Sequence, residues 1–593
     1  MAPRAAVESQ AVSEPRPDLS PPSSSLPASF ALALLLVLVV ASPWAFGSVD
    51  PAPRFVLVSL ALGASALALS LAAARNRLEL PDVPLWPLLA LLVLGLLQLV
   101  PLPAAVLRLL APGPARAWYP GVEEARAVLG DGPHPLSLDP EATWQGLLLA
   151  AGLVGLGLLS APALTKERAA VRAAVGVVLS GGALAVFGIV ARTRFGSRLY
   201  GTIAVPTVAP FGPFVSKNHF AGYVVMAALL ALGLALSLAG RARHDEWTRG
   251  RGAPGVVLSL VGALAMAIAL FVSQSRGGAI AASAGVLAFA LLLFTTRRGR
   301  GTVVPGAVVA LALLVVLALA LPPEARARLA TTEGASFRLD TWRDSLRLWT
   351  SSPMLGQGFG AFPDAFARVK NGNGAIRVEH AENDYVEVLV EGGALGLGLA
   401  LLAFLLPARR IASGLPRPES HRRGLAIGAL AGLVALCAHS ALDFNLRIPS
   451  NATLAALLSA FAAAGAGRKL AGVGRVPLVA FALMFTLAFA SVVVRGPLAF
   501  DRSASWRQAR DEAREASSSP FPDVRALRAE RAKARLARVL SVRPAFAEGF
   551  LLMAALSRET GDAQSGRALS AYAQTLDPSR ADLQAAARAL QEP

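Results

Sequence analysis

Apolar residues run along this chain in blocks of roughly twenty, separated by short polar loops, and a block of about 20 is long enough to cross a bilayer as a helix. Such blocks lie at 29–48, 54–74, 84–103, 143–164, 169–191, 218–240, 254–273, 277–295, 302–322, 385–407, 424–441, 449–466 and 475–494. The pattern predicts an all-α fold, a polytopic membrane helix bundle of about thirteen spans occupying residues 29–495. Residues 1–28 are rich in Pro, Ser and charge and predict a disordered cytoplasmic tail. The first apolar block starts too late, behind too long a polar leader, for a simple signal peptide.

Residues 501–593 change character: charge rises, and Ala, Leu and Arg recur with helical period. Pro544 and Pro578 stand 34 residues apart and bracket "AEGFLLMAALSRETGD" and "ALSAYAQTL". That spacing suits a tetratricopeptide-like pair of helices, while a plain helical tail is the other reading, because such repeats usually need at least three copies. A small α-helical domain is expected either way.

Orientation follows from the loops. With the N-terminus cytoplasmic, the cytoplasmic loops hold Arg75 and Arg77; Lys166 and Arg168; Arg241, Arg243, Arg249 and Arg251; Arg297, Arg298 and Arg300; Arg409, Arg410, Arg417, Arg422 and Arg423; and Arg468, Lys469 and Arg475. Each short loop on that side is then basic, as the positive-inside rule requires. An odd number of spans puts the C-terminal domain on the far side, the periplasm of a two-membrane bacterium. The far-side segments 104–142, 192–217 and 323–384 are then the long ones, and long connections in a compact bundle are usually functional.

Composition agrees. Of 593 residues 54% are hydrophobic and 16% charged, against roughly a quarter charged in soluble domains. The net charge of +18 belongs to dispersed topological arginines, so no nucleic-acid partner is expected. The single cysteine, Cys437, excludes a disulfide within the chain. No His-Glu-x-x-His spacing and no Gly-x-x-x-x-Gly-Lys phosphate loop occurs, so neither a metal nor a nucleotide cofactor is expected.

Four far-side clusters carry candidate chemistry. "FGPFVSKNHFAGYVV" places Lys217, Asn218 and His219 just before a span. "SQSRGG" puts Arg276 in a tight turn between spans. A snorkelling arginine is one reading of it, but the positive-inside rule disfavours arginine on this side and flanking glycines admit a ligand closely. "FRLDTWRDSLRLWTSSPMLGQGFGAF" reads as an amphipathic helix on the membrane surface that carries Arg338, Trp342 and Trp349, is stopped by Pro353 and is followed by a flexible glycine loop. "HSALDFNLRIPSNA" carries His439, Asp443, Asn445 and Arg447. The i,i+4 spacing of His439 and Asp443 allows a structural hydrogen bond between them as readily as catalysis. Finally, in "VEHAENDYVEVLVEGG", His380, Asn383, Asp384, Glu387 and Glu391 fall on one face if the stretch is helical, with Ala381, Tyr385, Val388 and Leu389 opposite. A polar stripe of this kind faces protein or a wet cavity rather than lipid.

With these motifs in this order, the chain resembles the O-antigen ligase and O-antigen polymerase superfamily from about residue 30 to residue 495. The motifs that carry the resemblance are "VSKNHFAGY", "SQSRGG", "FRLDTW…SSPMLGQGFGAF", "HAENDYVEVLVEGGALG" and "HSALDFNLRIPSNA". It implies a metal-independent, lipid-phosphate-using glycosyltransferase bundle with the large periplasmic loop 323–384 over the active site. It further implies an undecaprenyl-diphosphate-linked glycan as donor, a sugar hydroxyl as acceptor and inversion at the anomeric carbon. Arg276, Arg338 and Lys217 would bind the diphosphate; His380, Glu382 and Asn383 would be catalytic; Asn218, His219, Tyr385, His439, Asp443 and Arg447 would support them. The family's loop-end motif usually reads His-Asn-x-Tyr/Phe-Leu, and here Glu382 stands before Asn383, with His380 two residues earlier. Either could be the base. The resemblance leaves the acceptor open between lipid A core and a growing polysaccharide, and the tail open to a protein partner. A transporter of a glycan or lipid-linked substrate is the alternative, since intramembrane ionisable groups also mark transport pathways. Against it, the polar groups gather on one membrane face and no repeat of the halves is seen.

Reporter fusions after residues 250, 360 and 593 should read cytoplasmic, periplasmic and periplasmic. A cytoplasmic signal at 593 would mean an even number of spans.

Overall fold

The computed structural model describes residues 25–591 apart from 77, 197, 206–208, 243–252, 296–334, 372–373, 375, 417–419 and 467–470. The expected block 302–322 and the tail up to residue 24 therefore lie outside the described residues. So do Arg77, Arg243, Arg249, Arg251, Arg297, Arg298, Arg300, Arg417, Arg468 and Lys469.

The fold is all-α. The bundle runs α1 (Ser25–Ala41), α2 (Pro51–Ala74), α3 (Trp86–Leu97), then, after three short helices α4 (Ala104–Leu110), α5 (Pro112–Trp118) and α6 (Glu123–Leu129), α7 (Pro140–Leu164), α8 (Glu167–Phe195), α9 (Lys217–Ala242), α10 (Ala253–Ser273) and α11 (Arg276–Thr295). Two helices of the large loop follow, α12 (Ala335–Thr350) and α13 (Phe362–Ala367), and then α14 (Asp384–Ser413), α15 (His421–Ser440), α16 (Pro449–Ala464) and α17 (Arg475–Arg495). Among the described residues, ten helices are long and apolar enough to cross a membrane, and α3 and α16 are shorter apolar helices. Three two-stranded ribbons are the only sheet among the described residues.

The middle of the bundle is α9 against α15, the two most enclosed spans. A Cβ on Gly233 would come within 2.5 Å of the Gly424 carbonyl oxygen, and one on Gly428 within 2.6 Å of the Leu229 carbonyl oxygen. Small residues at the crossing let the two backbones touch, as van der Waals packing in a membrane demands.

Helix ends sort into two layers. At one end the ribbon pairs Glu79–Leu80 with Ala471–Gly472, Arg410 pairs with Asp82, and Glu167 lies 3.7 Å from His421. The described basic loops thus meet at this end. The opposite end gathers the candidate residues.

Two segments differ from expectation. The block 84–103 forms only the 12-residue helix α3, about 18 Å long and too short to cross a core of about 30 Å. It stops ahead of Pro101 and Pro103, and Gln98 at its end is fastened to the loop: its amide donates to the carbonyls of Leu355 and Glu391, both at 2.9 Å, and accepts from the Phe359 amide at 3.0 Å. The glycine loop after Pro353 is not a free hinge either. It is a strap laid along α14, with Gln357 N donating to Val390 O (2.9 Å), Gly358 N to Glu391 O (3.0 Å), and Ala394 N to Pro353 O (2.8 Å).

The strap fits because α14 is broken at Gly393, whose φ of 65° and ψ of −170° interrupt the helix. That region of backbone space is open essentially to glycine alone. A Cβ there would also sit 2.2 Å from the Met354 carbonyl, and one on Gly356 would sit 2.3 Å from the Glu391 carbonyl. The carbonyls and amides freed by the break are those the strap takes up, as backbone at membrane depth must be satisfied within the protein.

Beyond α17 the chain forms α18 (Ala504–Ser517), α19 (Pro522–Leu540), α20 (Ala547–Glu559), α21 (Ala563–Leu576) and α22 (Ala581–Ala589). They share one apolar core, which also takes in Ala125 and Leu129 of α6. The tail is thus docked on the far-side loops.

Gly393→Ala should destabilise the folded protein by at least about 1–3 kcal/mol, read as a lower unfolding temperature in detergent and less monodisperse protein. Gly398→Ala, in the same helix with nothing within 4 Å of the added methyl, should not.

Candidate functional site

The site grows from the start of α14. Asn383 is extended (φ −167°, ψ 109°), and its side chain accepts from the amides of Tyr385 and Val386, which caps the helix. The helical face expected from His380 onward is therefore corrected: the helix begins at Asp384, and His380 and Glu382 sit in the extended segment before it. Glu382 itself has φ 56°, a left-handed conformation that a non-glycine residue holds only when its surroundings impose it. Surrounding bonds do so: Trp342 Nε1 donates to Ala381 O at 2.9 Å, and Ala381 N donates to Glu387 Oε2 at 2.8 Å. Trp342 thus holds the loop end rather than acting as a simple headgroup anchor.

Glu387 organises the next layer. Its Oε1 lies 2.9 Å from His380 Nδ1 and 3.0 Å from Arg447 Nε. Arg447 continues to Glu391 Oε2 at 2.6 Å and lies 4.0 Å from Asp384 Oδ1. Three buried carboxylates of one helix face thus share one guanidinium. The sequence stripe contained Glu387 and Glu391, but its signal did not single them out as the frame of the site. The His380 ring stacks on Phe444, 4.0 Å between centroids. Burial works against charge on His380, but the Glu387 carboxylate outweighs it and holds the imidazole pKa above its ordinary value.

The turn after α15 closes the other side. Asp384 N donates to Asp443 O (3.3 Å) and Leu446 N to Asp384 Oδ2 (3.1 Å). Tyr385 Oη donates to Cys437 O at 2.8 Å. Asn451 Nδ2 donates to His219 O (3.0 Å) and Asn445 Oδ1 (2.8 Å), which ties the start of α9 to the same turn. The expected His439–Asp443 hydrogen bond is not formed. Asp443 instead faces His219, whose Nε2 is 3.3 Å away without hydrogen-bond alignment, and neither ring nitrogen of fully buried His439 has a hydrogen-bond partner among the described residues. Burial opposes the charge on Asp443, but His219 and His439 pull its pKa down to about 2. It stands as a fixed negative charge.

The arginine turn joins here. Ser275 Oγ and Asn218 Oδ1 are 2.8 Å apart, and a Cβ on Gly277 would come 2.8 Å from His439 Nε2. Arg276 therefore opens α11 beside α9 and α15, with Gln274 at φ 55° bending the chain into the turn. Lys217 opens α9 next to Asn218, its amide bonded to Ala209 O at 2.9 Å. From the loop, Arg338 of α12 reaches Glu382, with Nη2 to Oε2 at 3.5 Å. Burial, then Asp443, push the Glu382 carboxyl pKa up against Arg338 and His380, to about 7.

All the residues singled out from sequence thus converge at one end of the bundle, drawn from α9, α11, α12, α14, α15 and two loops. The arrangement places Arg338 against a partly exposed carboxyl that gains or loses a proton near neutrality.

Arg447→Ala should leave Asp384, Glu387 and Glu391 without their shared cation. Breaking a buried pair from one side costs about 3–5 kcal/mol, so the variant should show a marked loss of thermal stability in detergent. Near-normal stability would mean these carboxylates are held by other groups.

A search of curated proteins finds no match to the chain. Residues 261–401 match the family model described as O-antigen ligase. The matched stretch runs from within α10 to within α14 and includes Arg276, Arg338, His380, Glu382, Asn383 and the strap. Over that stretch, which holds the arginine turn and the loop end of the site, this membrane protein is similar to O-antigen ligases.

Proposed function

We propose that the protein is a membrane glycosyltransferase of the O-antigen ligase and polymerase type, which moves a glycan from undecaprenyl diphosphate to a sugar hydroxyl at the far end of the bundle. The observation that carries this reading is the Arg338–Glu382 pair beside the Arg276 turn, inside the stretch matched by the family. The basic loops at the opposite end support a cytoplasmic N-terminus, a site on the periplasmic face of a bacterial inner membrane, and a periplasmic tail.

Arg276 and Arg338, with Lys217 at the edge, bind the donor diphosphate. Guanidinium suits this because its planar fork matches two phosphate oxygens. Glu382 is the base. It accepts the proton of the acceptor hydroxyl as that oxygen bonds to the anomeric carbon from the face opposite the diphosphate. The carbon–oxygen bond to the diphosphate breaks, its electron pair stays on the phosphate oxygen, and the arginines stabilise the charge that appears there. Attack from that face inverts the anomeric centre. A carboxyl with a pKa near 7 is matched to general-base work at neutral pH, and Asp443, kept ionised, helps to hold it there. His380, fixed by Glu387 and Phe444 and favouring its protonated form, adds positive charge and orients the segment. Asn383 caps the helix that carries these groups.

Gathering of the ionisable groups at one end, rather than at the midplane of paired broken helices, favours this reading over a transporter.

Transfer by purified protein from a lipid-linked donor should be reduced about 10²–10³-fold by Arg276→Ala, with Arg276→Lys recovering little. It should survive a chelator. Glu382→Gln should lose about 10²–10⁴ in rate, and His380→Ala should lose less. Near-normal turnover in Arg276→Ala and in the His380→Ala, Glu382→Ala double variant would return the transporter to first place.

The pH profile offers a separate check. Because the base must be ionised, wild-type kcat should rise through a midpoint near pH 7 and level off above it. The residual activity of Glu382→Gln should lack that rise; a retained midpoint near 7 would move the base to His380.

A further inference from the structure

The tail meets the large loop through ion pairs centred on a buried carboxylate. Asp364 of α13 is 1% exposed. Its Oδ2 accepts from Arg543 Nε at 2.7 Å and its Oδ1 from Arg543 Nη2 at 2.9 Å, a two-pronged contact from the loop between α19 and α20. The same Oδ1 accepts from Arg377 Nη2 at 2.7 Å. Arg377 also holds Glu379 (2.7 Å) and lies 3.7 Å from Glu548 of α20, which is itself 2.5 Å from Arg580. Arg543 lies over the Phe546 ring at 4.0 Å. Alongside, buried Lys370 lies 3.4 Å from Asp577. Burial disfavours the Asp364 charge, but Arg543 and Arg377 together hold its carboxyl far below the usual range, so the pair is charged at any working pH.

Arg377 stands three residues before His380 and five before Glu382. The segment between is itself held at two points. Val378 is buried in the loop core, and Ala381 is tied at both its amide and its carbonyl. Residues 377–383 therefore hang between two anchors: the cap of α14 on one side and Arg377 on the other. The second anchor is completed by residues from a different domain.

We propose that the C-terminal domain is a positioning clamp for the reacting segment: Arg543 and Glu548 fix Arg377, directly and through Asp364, and so set where His380 and Glu382 stand. This inference rests on the transfer reading above for its kinetic consequence, though not for its structural one. Arg543, Glu548, Arg377 and Asp364 are positioning residues, since none of them reaches the reacting groups. A displacement of about 1 Å at a reacting group, caused far from the chemistry, can cost about 10²-fold in rate.

The test uses the full-length protein in detergent or nanodiscs, with Arg543→Ala, Arg543→Lys and Glu548→Gln. Two quantities are read per folded molecule: kcat and KM for a lipid-linked donor, and amide hydrogen exchange across 376–383. Arg543→Ala should exchange faster in that segment and lose between about tenfold and 10²-fold in kcat. Its KM for the donor should change less than about twofold, because Arg276 and Arg338 are untouched. Arg543→Lys keeps the charge but not the fork and should recover part of both losses. Should Arg543→Ala fail to fold, the milder Arg543→Lys and Glu548→Gln variants carry the test, with the same changes expected in smaller measure. A purely structural contact would lower the unfolding temperature and leave kcat and the exchange of 376–383 unchanged, and that result overturns the clamp. Faster exchange with unchanged kcat overturns it as well. If the wild type transfers no glycan, the transfer reading fails on its own, and exchange alone decides whether the tail holds the segment.

Discussion

Arg447 is the group on which this end of the molecule depends. Three carboxylates on successive turns of α14 point inward, and burying them uncompensated would be prohibitive. One guanidinium from the turn after α15 meets Glu387 and Glu391 directly and lies within reach of Asp384. The planar fork allows this; an ammonium is a single point of charge. Everything nearer the surface is built outward from it. Glu387, fixed by Arg447, fixes His380 and the Ala381 amide in turn, and these fix the left-handed turn at Glu382.

The break at Gly393 serves the same end. An unbroken helix would offer the strap no free backbone groups at 390–394. Broken, it lets Pro353–Gly360 run alongside, and Gln98 closes the junction from α3. The large loop is therefore fastened into the membrane layer by backbone hydrogen bonds. Arg338, which enters on α12 just before the strap, gains a fixed position from them.

Much of this was legible in the sequence, for definite reasons. The spans announce themselves because lipid imposes length and apolarity on every turn of helix. All of the expected blocks that fall on described residues are helical, although α3 is cut short ahead of Pro101 and Pro103, where the Gln98 amide finds three partners all more than 250 residues away. Loop parity also predicts that Lys217, Arg276, Arg338, His380 and Arg447 share one side, and the helix ends and loops that carry them lie at one end of the described bundle. What periodicity could not give was the exact start of α14. His380 and Asn383 fit a helical face, yet the Asn383 cap and the turn at Glu382 put His380 outside it. The pairing of Asp443 with His219 instead of His439 was hidden for a related reason: spacing of four residues permits contact within a helix, but Asp443 lies past the end of α15. The Asp364–Arg377–Arg543 cluster had no local signal, since each charge looks like an ordinary surface residue until the tail folds back on the loop.

That folding back has a consequence for synthesis. Asp364 and Arg543 are 179 residues apart. At about 5–20 residues per second, roughly 10–40 s pass between the emergence of the loop and that of its partner. During this interval Asp364 has only one of its two arginine partners, Arg377 of the same loop. The nascent chain can insert its later spans and assemble the Arg447 cluster, but Arg377 has only its loop partners Asp364 and Glu379 until Arg543 and Glu548 arrive. On the clamp proposed above, a chain that stops early would be an inserted protein whose reacting segment lacks its second support, and completion of the tail would supply it.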